Sequence, residues 1–422
     1  MPAKWVDYGA SDGPPGTLWG LAKGSGSKPY QACVDLDGPA YRCSCPSRKF
    51  PCKHALGLLL LWSAGQVAEK AWPEWVQEWH AKRATTAAKA QARRDAPQTE
   101  AQQKAAAKRA AQRDDRVAQG VTELSQWLDD QVASGIAGLD QAAYQHWDTA
   151  AARLVDAQAP GLARRVKVLA SVASSRTGWD ERLLGELGTL KLLTSAYANL
   201  ADLPPTLADT VRAHVGFTTP VEAVLSTPPV TDVWQVIALH DEVEERRMTT
   251  RRAWLLGRES GRWALDLSFA VAGQALPADL VIGTEMHADL CFYPGALPLR
   301  AAIAKRHTTP TRCADPAGAT TIAASLDAYA DALARDPWLD AWPMLVRGVL
   351  MPGDGAAATG GGTGSRWYVV DEIGDAIALR RGTESWPLLG ALGGHPADIA
   401  GEWSPDGLLP LGAYTATAVV TP

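Results

Sequence analysis

Between Val121 and Phe217 apolar residues recur at intervals of three and four. Leu124, Trp127, Leu128, Val132 and Ile136 keep this step, as do Tyr144, Trp147, Ala151, Leu154 and Val155. Leu162, Val166, Leu169 and Val172 form a third series, and Leu183, Leu187, Leu190 and Tyr197 a fourth. Such a period lays one apolar stripe along each helix. Thr122, Pro160-Gly161, Gly178 and Pro204-Pro205 fall where helix ends are expected. Four or five amphipathic helices with short connections predict a bundle over residues 119–217.

After Pro220 the period shortens. Residues 233–239, 252–256 and 262–267 read as strands, the last two paired across a turn at 257–261, and residues 280–292 continue in the same manner. Residues 320–335 return to a helical step. These runs predict a mixed, β-rich domain over 218–352. A Gly/Ala/Thr tract at 353–365 reads as a flexible loop. Strand-like runs at 366–370, 377–379 and 414–420 then predict a small β unit over 353–422.

Toward the start, residues 1–30 are rich in Gly, Ser and Pro, with Trp5, Tyr8 and Trp19 as anchors, and the glycine-rich Gly24-Ser25-Gly26-Ser27 reads as a hairpin turn or loop. Two strands are expected at 30–36 and 40–43, joined by a turn at Asp37-Gly38-Pro39. Residues 55–62 form a short apolar run that predicts a buried helix, and 72–79 predict a second, with Pro73 in its first turn. Trp75 and Trp79 share a face of that helix; they read as packing, with a docking surface as the alternative. Residues 81–118 consist mainly of Ala, Lys, Arg and Gln and cannot bury a core of their own. They predict a basic linker, disordered or a solvated helix, with an arm that touches phosphates as the alternative.

Composition adds little to the fold but constrains the setting. Hydrophobic residues make up 46% and charged residues 21%, as expected of a soluble globular protein. No stretch approaches the run needed for a membrane span, and the first residues lack an apolar signal core. Six cysteines are scattered too unevenly for a disulfide framework. The expected location is therefore cytoplasmic. Charge is asymmetric: residues 1–116 hold 18 Lys/Arg against 11 Asp/Glu, so the remainder must be strongly acidic under a net charge of −5. The basic end suits phosphates or an acidic protein, and the acidic end repels nucleic acid.

The candidate chemistry is concentrated in Cys43-Ser44-Cys45-Pro46 and Pro51-Cys52-Lys53-His54. Three thiolates and one imidazole suit tetrahedral zinc with no coordination position left open, so the predicted ion is structural. Cys43, Cys45, Cys52 and His54 are the expected ligands. A disulfide between Cys43 and Cys45 would close a strained ring. Lys28, Arg42, Arg48, Lys49 and Lys53 surround these ligands and are candidate contacts to nucleic acid or a protein partner, with Tyr41 and Phe50 as interleaved aromatics. His287, Asp289 and Cys291 alternate and would face one side of a strand, as catalytic or metal-binding clusters do and as ordinary half-buried strands also do. Neither Gly-rich tract carries the lysine of a phosphate-binding loop, and no catalytic motif is present.

The span from Tyr30 to His54, with its C-x-C-x(n)-C-x-H ligands after a hairpin and before a helix, resembles a SWIM zinc finger, and the whole chain resembles bacterial proteins of that family. The resemblance implies zinc held by Cys43, Cys45, Cys52 and His54, and binding to DNA or protein. It also implies ring-forming ATPases or von Willebrand-type domain proteins as candidate partners. The expectation is an α+β multidomain protein: a ββα zinc finger over 1–80, the linker over 81–118, the bundle, and the β-rich C-terminal region. Its expected function is that of a zinc-binding, non-catalytic interaction protein. The alternatives are a scaffold for an ATPase-containing complex and, last, an enzyme using the C-terminal region. Neither a membrane nor a small molecule is expected among its partners.

Overall fold

The computed structural model describes residues 5–11, 16–24, 26, 28–36, 40–47, 51–63, 65–95, 99–139, 144–175, 178–243, 248–271, 274, 276–277, 279–313, 318–353, 366–415 and 419–421. The expected turn at 37–39, residues Arg48 and Lys49, and the glycine-rich tract after Gly353 lie outside them. The chain divides into two units. One comprises residues 1–99, 241–252 and 267–281; the other comprises 100–240, 253–266 and 282–422.

The first unit is built on four antiparallel strands: β1 (Trp5–Ala10), β2 (Thr17–Ala22), β3 (Tyr30–Asp35) and β4 (Ala40–Cys43), in that order across the sheet. The expected hairpin is present as β3 and β4. The Gly-, Ser- and Pro-rich segment before it, where no strand is expected, supplies two more strands. Side chains alternate across a strand, and both faces of this sheet are covered. On one face Leu18, Ala32 and Val34 pack with Ala55 and Leu58 of α1 (Lys53–Ser63). On the other, Trp19 and Cys33 pack with Val76 of α2 (Glu74–Asp95), and Trp72, Trp75 and Trp79 close around them. The tryptophans are therefore packing. Helix α1 is buried only on its sheet side: Leu56, Leu60 and Trp62 are exposed, which corrects the expectation of a wholly buried helix.

The basic stretch is helical through α2 and the start of α3 (Glu100–Ser134); apart from the half-buried Arg83, Arg113 and Asp114, its described side chains are exposed until Val117 enters a core. From there α3 packs with α4 (Tyr144–Asp156), α5 (Pro160–Ala173), α6 (Trp179–Ala198) and α7 (Pro205–Val215) around Leu124, Leu128, Trp147, Leu162, Val166, Leu187 and Val211. Val132, Tyr144 and Val155, which fit the helical period, lie on the outside. The buried stripe is narrower than the pattern suggests.

A short helix α8 (Val221–Leu225) leads into two six-stranded sheets. The first contains β5 (Val230–Val243), β6 (Met248–Gly257), β7 (Trp263–Val271), β8 (Thr284–Phe292), β9 (Ala301–Arg306) and β10 (Thr311–Arg312), ordered β10-β8-β5-β6-β7 with β9 beside β8. After α9 (Ile322–Arg335) come β11 (Trp342–Pro352), β12 (Trp367–Val370), β13 (Ala376–Ala378), α10 (Trp386–Leu392), β14 (Ala397–Ser404), β15 (Gly407–Tyr414) and β16 (Val419–Val420). The second sheet runs β13-β12-β11-β14-β15-β16. Strand β11 has its partners on the far side of residue 352, so this sheet crosses the expected boundary there. The Tyr414 hydroxyl donates to the carbonyls of Val236 and Ile237, at 3.1 and 2.7 Å. Buried Glu402 accepts from Trp254 Nε1 at 2.7 Å.

Trp338 joins the β region to the bundle. Its ring belongs to the bundle core, and its Nε1 donates to Thr189 O at 3.0 Å. Arg165 Nη2 donates to Trp338 O at 2.6 Å, and His214 Nε2 lies 2.9 Å from Asp336. A buried indole with its N–H satisfied and polar groups paired around it makes a specific anchor.

Candidate metal centre

The hairpin and helix α1 bring the expected ligands together. Cys43 ends β4, and Cys45 follows it on a loop. That loop is tied to the sheet by Ser44 N to Gln31 O at 3.0 Å and by Gln31 N to Ser44 Oγ at 2.9 Å. Cys52 directly precedes α1, and His54 sits in its first turn. Leu56 N donates to Cys52 O at 3.0 Å, so the helix begins by fixing the backbone of a ligand. The Tyr30 ring lies 5.4 Å from that of His54.

The four ligand atoms all lie within 4.8 Å of one another. His54 Nδ1 stands 3.6 Å from Cys43 Sγ and 4.0 Å from Cys52 Sγ. Bond lengths of about 2.3 Å to sulfur and 2.0 Å to nitrogen put tetrahedral neighbours at about 3.5–3.8 Å. The His54–Cys43 separation already fits one ion's coordination shell, the others are close enough for small side-chain shifts to complete it, and the donor set is that of zinc.

The electrostatics agree. Burial pushes the Cys43 thiol up to about 12. Burial also acts to raise Cys52, but the N–H groups of Ala55 and His54 and the neighbouring thiols outweigh it, holding Cys52 below the ordinary cysteine range. His54 is lowered by burial and by Lys53, which keeps the imidazole neutral as a ligand must be. Three close sulfurs in a partly dry site must share protons unless a cation replaces them. Cys33 is buried too, and burial pushes it to about 12. It faces Trp19 and Val76 on the opposite side of the sheet and takes no part in the site.

Of the candidate contact residues, Lys28, Arg42 and Lys53 are exposed and make no ion pair with a described residue. Arg48 and Lys49 lie outside the described residues.

The alternating trio on β8 does not converge. His287 is exposed, and its ring lies 4.9 Å from that of His307. Asp289 accepts from Thr231 at 2.6 Å and pairs with His307 at 2.9 Å. Cys291 is buried and donates to Thr227 O at 3.4 Å. His307, absent from the expected trio, is the residue that comes to Asp289; it lies on the chain leaving β9, and nothing in the strand pattern of β8 points to it. Among the described residues, the finger is the one group of three or more such side chains placed to hold an ion.

Residues 33–62 match the family model of the SWIM zinc finger, and residues 112–215 match that of the SWIM-associated four-helix bundle domain. The first match encloses all four ligands; the second covers the bundle from the end of the basic stretch to the end of α7. No curated protein and no solved structure matches the chain. Among the described residues, no helix is long and apolar enough to cross a membrane.

Proposed function

We propose that this chain is a non-catalytic, zinc-dependent interaction protein of the cytoplasm whose finger contacts nucleic acid. The supporting observation is the pairing of a closed ligand set with exposed cations that have no ion-pair partner among the described residues. Three sulfurs and one nitrogen fill a tetrahedral shell, so no coordination position remains for substrate or activated water. The ion's role is to fold a small unit, and what that unit presents is Lys28, Arg42 and Lys53, exposed and without acidic partners among the described residues. Unpaired cations on a rigid scaffold suit phosphates.

The acidic body favours a second reading, in which the finger is purely structural and the chain is an adaptor docking on a protein complex such as a ring-forming ATPase. A salt titration of binding to mixed-sequence DNA separates the two. If the three cations each meet a phosphate, the log–log slope is about −3 and falls by about one with each Lys or Arg replaced by Gln. No binding even at low salt would refute the nucleic-acid reading and leave the adaptor.

A further inference from the structure

A cleft of about 690 Å³ opens between the turn that leads into β7, the segment 297–299, helix α9 and the start of β11. Its volume lies within the range of small-molecule sites. Its charged lining residues are Arg262 and Arg335, and among the described residues no carboxylate lines it. This is unusual on an acidic body, where a cation finds a counter-ion easily. The Arg262 guanidinium lies 3.6 Å from the centroid of the Phe292 ring and, among the described residues, otherwise reaches only Pro298 O, at 3.5 Å. Arg335 donates to Ala296 O through Nε at 3.0 Å and Nη2 at 2.6 Å.

A guanidinium carries five donors, so both arginines keep donors to spare. Burial and the positive charge of Arg335 both lower Arg262, so the two cations sense each other, and no described carboxylate lines the cleft they share. Like charges held together across a partly dry cleft are a cost that a bound anion would remove. The hydroxyls of Thr320 and Ser325, 2.7 Å apart, stand in the same wall. Leu297, Leu299 and Met344 supply apolar surface beside them.

We infer that this cleft binds a small organic anion, a carboxylate or a phosphate ester, with the anionic group between Arg262 and Arg335 and an apolar body against Leu297, Leu299 and Met344. Arginine suits both groups because its planar fork meets two oxygens at once. The apolar wall selects an organic anion over an inorganic one, and a bounded recess suits a small molecule better than a polymer backbone.

Titration calorimetry on the full chain at constant ionic strength tests this, with phenyl phosphate, benzoate, inorganic phosphate and a hexaglutamate peptide as probes. The expected result is saturable binding of phenyl phosphate or benzoate, tighter than that of inorganic phosphate. Whichever of the two binds identifies the anionic group. Replacing either arginine, Arg262→Gln or Arg335→Gln, should weaken it by roughly tenfold or more. Arg347→Gln, at an exposed arginine paired with Asp398 elsewhere, should leave it unchanged. Should Arg262→Gln not fold, Arg335→Gln, whose side chain is exposed, carries the comparison. Absence of saturable binding, binding that survives in a folded arginine variant, an equal loss in Arg347→Gln, or binding of the acidic peptide alone would each overturn the inference.

Discussion

His54 Nδ1 and Cys43 Sγ stand 3.6 Å apart although one side chain comes from the first turn of a helix and the other from the end of a strand. That approach joins α1 to β4 through a site in which every member would donate an electron pair to the same ion. Removing the ion should therefore separate the two elements. Chelation, or the change Cys43→Ser, should abolish hydrogen-exchange protection in β3, β4 and α1, because the binding energy of a structural zinc is folding energy. Cys33→Ser is the control. It puts a hydroxyl into an apolar contact at a cost of about 1–3 kcal/mol, yet it should leave the metal in place.

Trp338 should behave as a core residue of the bundle although it lies on the chain after α9. Trp338→Ala should lower the unfolding free energy by about 3–5 kcal/mol. Trp338→Phe keeps most of the packing and loses the bond to Thr189 O, for a loss of about 1 kcal/mol. Urea unfolding followed by far-UV circular dichroism reads both. A change within error for Trp338→Ala would contradict the anchor.

Asp232 is the buried carboxylate on which the turn between β6 and β7 closes. Burial acts to raise it, but the Ser260 hydroxyl and the N–H groups of Ser260, Glu259 and Val233 outweigh that and hold it below the usual carboxylate range. A group whose folded pKa is depressed stabilises fully above its unfolded value and loses that contribution as pH falls through it. Asp232→Asn should therefore destabilise the protein by about 1–3 kcal/mol near neutral pH. The gap from the wild type should begin to narrow below about pH 4, where the unfolded carboxyl takes up its proton, and close as pH falls through the lower native value. Paired urea midpoints across that range check the sign, and a gap that widens on acidification would contradict it.

The metal ligands were legible because they are local: four donors within twelve positions declare their chemistry without knowledge of the fold. The bundle was legible because its period is long and regular. Strands β1 and β2 were not, because a glycine of their Gly-, Ser- and Pro-rich segment is a packing device. A Cβ at Gly20 would come within 2.6 Å of the Trp5 ring, so this strand position is small in order to admit its neighbour. Strand β14 escaped notice because it is buried through Gly401 and Glu402 without alternation, as strands covered on both faces are. Arg262 and Arg335 lie far apart in the chain and belong to no motif. Their meeting is a product of the packing of β7 against α9 and β11, which no single stretch of sequence reveals.

Metal analysis of the purified chain, beside the Cys52→Ser variant, bears most directly on the account. About one equivalent of zinc per wild-type chain and a large loss in the variant is the predicted result. Wild-type protein that holds no stoichiometric zinc and still shows native protection in β3, β4 and α1 would contradict it.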